Sequence, residues 1–274
     1  MPAGTYLADI VAAHRARAAE DRRDLDELAR LAALGPEPRG FARSLASPAG
    51  AGAGHGLAVI AEIKRRSPSK GDLDPDLDPA EVAADYAAGG AACLSVLTDG
   101  PHFGARPGDL SAARASCALP VLRKDFTVAE ADVCDARLMG ADAVLLIVAA
   151  LDDGELARFS ALAAQLGLDA LVEVHDEREL DRALAVGATL VGVNQRDLTT
   201  FEVDPARAER VGRAIPPGVV AVAESGIRGG GDARRLAAAG FDAVLVGESA
   251  VTAADRRAAV AALAGHPVGE RARC

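Results

Sequence analysis

The chain has 274 residues, 50% of them hydrophobic and 26% charged, the make-up of a folded protein with a sizeable core. A formal net charge of -10 argues against nucleic acid as a general partner, and the longest apolar run, Ala143–Leu151, is too short to span a bilayer. Cys93, Cys117, Cys134 and Cys274 form no C-x-x-C pair and have no His at ligand spacing, so no disulfide framework and no metal site is expected.

In chain order, the first signal is helical. TYLADIVAAHRARAAEDRRDLDELARLAALG (residues 5–35) repeats apolar residues at helical spacing. Asp9 and His14 interrupt it where a secretion signal needs an unbroken apolar segment, so a cytoplasmic protein is expected. SLASPAGAGAGHG (residues 44–56) reads as a flexible connector. Residues 1–56 are expected to form a helical extension and connector packed on the rest, because so short a segment makes a poor core alone.

From residue 57 onward, short β-type runs alternate with Ala/Leu-rich helical runs. The strands are expected at 57–63, 92–98, 119–124, 142–148, 169–174, 189–194, 218–225 and 242–247. Several helical runs end in Gly, as at Gly140 and Gly240, a C-terminal capping signal. The strands are almost continuously apolar, as parallel strands covered on both faces are. Eight such units predict a single (β/α)8 barrel domain over residues 1–274. An open doubly wound sheet would carry G-x-G-x-x-G after an early strand, and none follows 57–63. Gly229-Gly-Gly231 is expected to be a flexible entry to the next helix.

A barrel places its functional groups at the C-terminal ends of its strands. Those ends carry Glu62 and Lys64 with the Ser67-Pro-Ser-Lys70 loop, then Ser95, then Lys124 with Asp125 and Phe126. Further on come Glu173, Asn194 with Arg196, Glu224 with Ser225 and Gly226, and Gly247 with Glu248. Strand four offers only apolar wall. Glu62 and Lys64 are two apart and share one face of their strand. Ionised groups are rarely buried there without partners, so a shared polar cluster at one mouth is expected. Backbone N–H groups around Ser225-Gly226 and Gly247-Glu248 suit an anionic ligand.

The segments AEIKRRSPSKG, SVLTDGPHFG, VLRKDF, LLIVAAL, LVEVH, VGVNQRDLTTFEVD, VAESGI and VLVGES, in this order, closely resemble the indole-3-glycerol phosphate synthase family, from about residue 5 to residue 265. The resemblance implies a barrel with an N-terminal helical extension. It also implies one substrate, 1-(2-carboxyphenylamino)-1-deoxyribulose 5-phosphate, cyclised with loss of carbon dioxide and water, and neither metal nor organic cofactor. Carried over position by position, Lys124 matches the general acid for ring closure, and Lys64 the lysine of the substrate carboxylate and of dehydration. Glu173 and Glu62 match the carboxylates that position these lysines and handle protons. Asn194 matches a hydroxyl-binding residue, and Arg196 is expected to support the carboxylate pocket. Ser67, Ser225, Gly226, Gly247 and Glu248 match phosphate contacts, with Glu248 acting through its backbone N–H. Phe103, Phe126 and Leu198 would wall the anthranilate ring.

Ring closure needs a carbonyl oxygen protonated as the aryl carbon bearing the carboxylate attacks. Burial and a second lysine are expected to lower the Lys124 pKa toward neutrality. The chain departs from the family pattern at Ala105-Arg-Pro-Gly108, at Gln195 and at Gly229–Gly231. These departures leave room for a paralogue acting on a substituted anthranilate-derived substrate. A non-catalytic phospho-ligand-binding barrel has no need of two mouth lysines plus two acids. Phosphoribosylanthranilate isomerase chemistry uses a Cys or Asp base, whereas Lys64 stands at the end of strand one here. With no long exposed apolar seam in the sequence, a monomer is the default.

Overall fold

The computed structural model describes residues 6–46, 56–197 and 200–271. Eight parallel strands close into a barrel: β1 (Ala58–Ile63), β2 (Cys93–Leu97), β3 (Val121–Lys124), β4 (Ala143–Ile147), β5 (Asp169–Val174), β6 (Leu190–Asn194), β7 (Val220–Glu224) and β8 (Ala243–Val246). Each strand pairs with its neighbour in sequence, and β8 closes on β1. All eight expected strands are present. They are trimmed where the local chemistry forbids pairing. The run expected over 218–225 begins at Val220 because Gly218 turns with φ +91°, and it ends at Glu224 because Ser225 adopts φ +66°.

Alternation along each strand sorts the side chains. Ala58 and Ile60 of β1, Leu122 of β3, Leu171 of β5, Val222 of β7 and Leu245 of β8 join one cluster inside the barrel. Val59, Ala61, Val121, Val172, Ala221 and Val244 face the helix layer. Continuing the inward row two residues further along each strand gives Glu62, Lys124, Glu173, Glu224 and Gly247. The mouth is the top layer of the barrel interior.

The N-terminal helices follow the barrel from mouth to base. In α1 (Tyr6–Glu20), the His14 ring is hydrogen-bonded through Nε2 to Asp99 Oδ2 at 2.9 Å, and Arg15 clamps Glu155 with contacts of 2.7 and 2.8 Å. Both partners lie on loops or helices after strand C-terminal ends. Next, α2 (Leu25–Ala33) packs on the barrel helix Glu130–Leu138. Finally, α3 (Phe41–Ala46) inserts Phe41 and Leu45 into the inner cluster at the opposite end, where Asp169 at the start of β5 accepts from the Ala42 N–H at 2.9 Å. Buried Asp142 fixes the joint between, accepting from the N–H groups of Arg39 and Val121, each at 2.7 Å, and from Arg114. Most of the expected connector, 47–55, lies outside the described residues.

The three-glycine run is not a free entry segment. Gly230 and Gly231 form the first turn of the helix Gly230–Ala238. A Cβ on Gly230 would lie 2.7 Å from the Ala262 carbonyl oxygen, so close packing against the last helix demands Gly there. Among the described residues Cys93, Cys117 and Cys134 are free, and no helix is long and apolar enough to cross a membrane.

His14→Ala removes a buried hydrogen bond to a carboxylate, worth about 2 kcal/mol, and frees α1 from the mouth. Amide hydrogen exchange checks this: α1 is expected to exchange faster while the barrel strands keep wild-type protection. Unchanged exchange in α1 would contradict the anchoring role.

Candidate active site

A cavity of about 610 Å³ opens at the C-terminal ends of the strands, within the size range of small-molecule sites. It gathers Glu62, Lys64, Ser67, Phe103, Lys124, Phe126, Glu173, Asn194, Arg196, Ser225, Gly226, Gly247 and Glu248 on one lining. Leu198 lies outside the described residues. The loops after β1, β2, β3, β5, β6, β7 and β8 all contribute.

Lys124 stands at the centre. Its Nζ is 3.1 Å from Glu173 Oε2 and 3.8 Å from Glu224 Oε2, with the two carboxylates 1% and 2% exposed. Burial alone would drive the lysine toward its neutral form. The combined field of Glu173, Glu224 and Glu62 outweighs it and holds the ammonium above the ordinary lysine range. This overturns the expectation of a lysine lowered toward neutrality. The second lysine, Lys64, is ion-paired with Glu62 at 2.7 Å.

The two buried glutamates divide. Burial pushes both upward, but Lys124, His175 and the Asn194 amide bring Glu173 down to about 2. Glu224 rises well above the carboxylate range, through burial first and then repulsion from Glu173. Two carboxylates around one ammonium share it unequally, and a proton favours Glu224 over Glu173. Glu224 Oε1 is buried without a hydrogen-bond partner among the described residues. Room for it comes from Gly192 on β6, where a Cβ would lie 2.0 Å from that oxygen.

Lys64 donates to Glu62 Oε1 at 2.7 Å, as their shared strand face predicts. The pair presses on the loop after β8: a Cβ on Gly247 would lie 2.4 Å from Glu62 Oε1 and 2.7 Å from Lys64 Nζ. Beside them, Ser225 and Gly226 both take left-handed backbone, φ +66° and +70°. Ser249 Oγ ties the two loops by donating to the Ile227 carbonyl at 2.9 Å. Ser67 Oγ is buried on the cavity wall with no partner among the described residues. Of the cations beyond β1, Arg65 is committed to Asp109 and to the Leu77 carbonyl, and Arg66 to Asp72 at 2.7 Å. Lys70 remains at the rim, 3.9 Å from Glu248. The loop is therefore less of a cationic clamp than its composition suggests.

The opposite wall is apolar. Phe103 and Phe126 face each other with ring centroids 6.3 Å apart, beside Leu97, Leu145 and Ile147. Tyr6, Leu7 and Ile10 of α1 complete it. Asn194 is engaged within the protein: its amide donates to Glu173 Oε1 at 3.0 Å and its oxygen accepts from the Arg196 N–H at 3.0 Å. Arg196 donates to the Phe201 carbonyl at 2.9 Å, bracing its own loop.

The sequence model of the indole-3-glycerol phosphate synthase family matches residues 7–263. The chain belongs to this family. Relatives named indole-3-glycerol phosphate synthase include one from Mycobacteroides abscessus, 46% identical over 96% of this chain and 95% of its own length. Another, indole-3-glycerol phosphate synthase 2 from Streptomyces coelicolor, is 52% identical over 87% of this chain and 90% of its own. A thiamine phosphate pyrophosphorylase from Pyrococcus furiosus shares the barrel fold, with a TM-score of 0.56 at 18% identity, covering 76% of this chain and 93% of that one.

As an indole-3-glycerol phosphate synthase, this chain brings to its cavity residues that the sequence reading left without a role. Glu224 stands among the strand-end groups, directly before Ser-Gly, but its sequence position gives it no role. Tyr6, Leu7 and Ile10 carried no such signal, since nothing local says that α1 lies across the mouth. Gly192→Ala is expected to displace the Glu224 carboxylate while leaving β6 paired. Pushing Glu224 aside presses on the neighbouring Lys124 ammonium, and misplacing that group by about 1 Å can cost on the order of 10²-fold, so kcat should fall by roughly that factor, with about 1–3 kcal/mol lost to overpacking; wild-type kcat would contradict the placement.

Proposed function

We propose that this mouth performs the family's ring-closing carboxy-lyase reaction on 1-(2-carboxyphenylamino)-1-deoxyribulose 5-phosphate, with Lys124 as general acid. The observation that carries the reading is the ammonium of Lys124 held at the meeting point of buried Glu173 and Glu224. The phosphate lies at the Ser225-Gly226 and Gly247-Glu248 loops with Ser67, and the aryl ring lies against the wall formed by Phe103 and Phe126. The carbonyl of the sugar chain then falls over Lys124.

As the aryl carbon attacks, the carbonyl oxygen becomes an alkoxide, far more basic than any lysine amine. A lysine kept charged by its ionised carboxylate neighbours, Glu173 first, stays loaded at every working pH and releases its proton only to that alkoxide. Loss of carbon dioxide restores the aromatic ring. Dehydration follows, with a carboxylate taking a proton from the new five-membered ring and an ammonium delivering one to the departing hydroxyl. Glu173, ionised and adjacent to Lys124, is the base in this reading. Lys64, set between Glu62 and the Gly247 backbone, holds the anionic end of the substrate and delivers the proton to the leaving hydroxyl. Neutral Glu224 caps the centre as a hydrogen-bond donor, because a third full negative charge around Lys124 would be costly.

Lys124→Ala should reduce kcat by about 10³-fold or more while substrate still binds, as equilibrium fluorescence titration can measure. Near-normal turnover would remove Lys124 from the role of acid. Glu224→Gln preserves shape and neutrality and should keep kcat within about tenfold of wild type, whereas Glu173→Gln should not. Equal losses in the two steady-state assays would contradict the division between them.

A further inference from the structure

His175 follows β5 directly and closes the LVEVH segment, yet the mechanism above gives it no task. Its Nδ1 lies 3.0 Å from Glu179 Oε2, which also accepts from the His175 backbone N–H at 2.7 Å. Its Nε2 lies 3.7 Å from Glu173 Oε1 and is buried without a hydrogen-bond partner among the described residues. Each ring nitrogen therefore faces a carboxylate oxygen, which can only accept. Glu179 belongs to the helix Glu177–Ala185, capped by Asp176 at 2.8 Å. Its side chain is 18% exposed, against 1% for Glu173. A continuous line of alternating charge, Glu179, His175, Glu173 and Lys124, thus runs from the outer rim to the centre of the cavity.

We infer that His175 is a positioning residue for the known reaction: clamped by Glu179, it presents an imidazolium edge to Glu173 and keeps that carboxylate ionised as the base. The inference rests on the assignment of Glu173 as base. The geometry supports it in two ways. Asn194 and Lys124 already occupy the oxygens of Glu173 at 3.0 and 3.1 Å, so the imidazole adds charge rather than a needed hydrogen bond. The backbone bond from His175 to Glu179 also fixes the ring's orientation through the turn after β5. The charged neighbours of His175 are Glu173 and Glu179 on its own segment and Arg207 on the helix Pro205–Gly212. Burial and Arg207 push the imidazole down, but the two carboxylates prevail and raise it.

Removing the positive neighbour leaves Glu173 easier to protonate, so the base is lost at higher pH as acidity increases. Wild-type Glu173 stays ionised down to about pH 2, so His175→Gln should bring out an acid limb in the kcat profile at higher pH than in wild type. On that limb its rate should fall about tenfold further below wild type than on the plateau, with KM nearly unchanged. Glu179→Gln, at the rim and outside the cavity lining, should shift the limb in the same direction by less. It keeps the test open if the first variant does not fold. A uniform loss at all pH values, or no shift in either variant, would overturn the inference. Glu173→Gln in the same assay separates the two readings. If it retains wild-type rates, the base assignment itself is wrong; if it is inactive while neither limb moves, only the role of His175 is wrong.

Discussion

The arrangement of the mouth depends on a single buried ammonium. Lys124 sits where the inward-facing carboxyl groups of Glu173 and Glu224 converge, and without it ionised Glu173 would lose its nearest cation in a buried site. Removing the lysine would leave the buried carboxyl groups of Glu173 and Glu224 without the cation between them. Removing the carboxylates would force the lysine neutral. The cluster is therefore mutually determined, and the fold supplies it by continuing the inner row of each strand one layer past the apolar core.

That constraint explains the glycines. Gly192 and Gly247 sit in the same inward rows as the charged groups, on neighbouring strands. A Cβ at either would lie within 2.4 Å of a carboxylate oxygen. The top layer is thus built of large charged residues alternating with empty positions, the packing that lets a small barrel hold side chains at full density. The N-terminal helices have a related purpose. With α1 across the mouth and α3 plugging the base, the barrel interior is sealed below and roofed above. Burial strengthens each interaction of Lys124 with the carboxyl groups around it.

Much of this was readable in the sequence because barrels repeat a local rule. Eight apolar runs with Gly-capped helices define the strands, and their C-terminal ends point out Glu62, Lys64, Lys124, Glu173 and Asn194. What could not be read was electrostatic balance, which is a sum over distant residues. The Lys124 pKa goes up rather than down because Glu173, about 50 residues away in sequence, lies 3.1 Å from it. The cations of the loop after β1 could be counted but not sorted, since only the structure engages Arg65 with Asp109. The roles of Tyr6 and His14 were likewise hidden, because no local signal says which end of a barrel an added helix will cover.

The most direct test is the charge state of Lys124 itself. Carbon-13 NMR of lysine side chains, with Lys124 assigned by its loss in Lys124→Ala, reads protonation at the ε-carbon. A titration across the pH range of activity should leave the Lys124 signal at the ammonium position throughout. A signal that titrates near neutral pH would contradict the account, because the carboxylates around it would then not hold the charge on which the proposed chemistry depends.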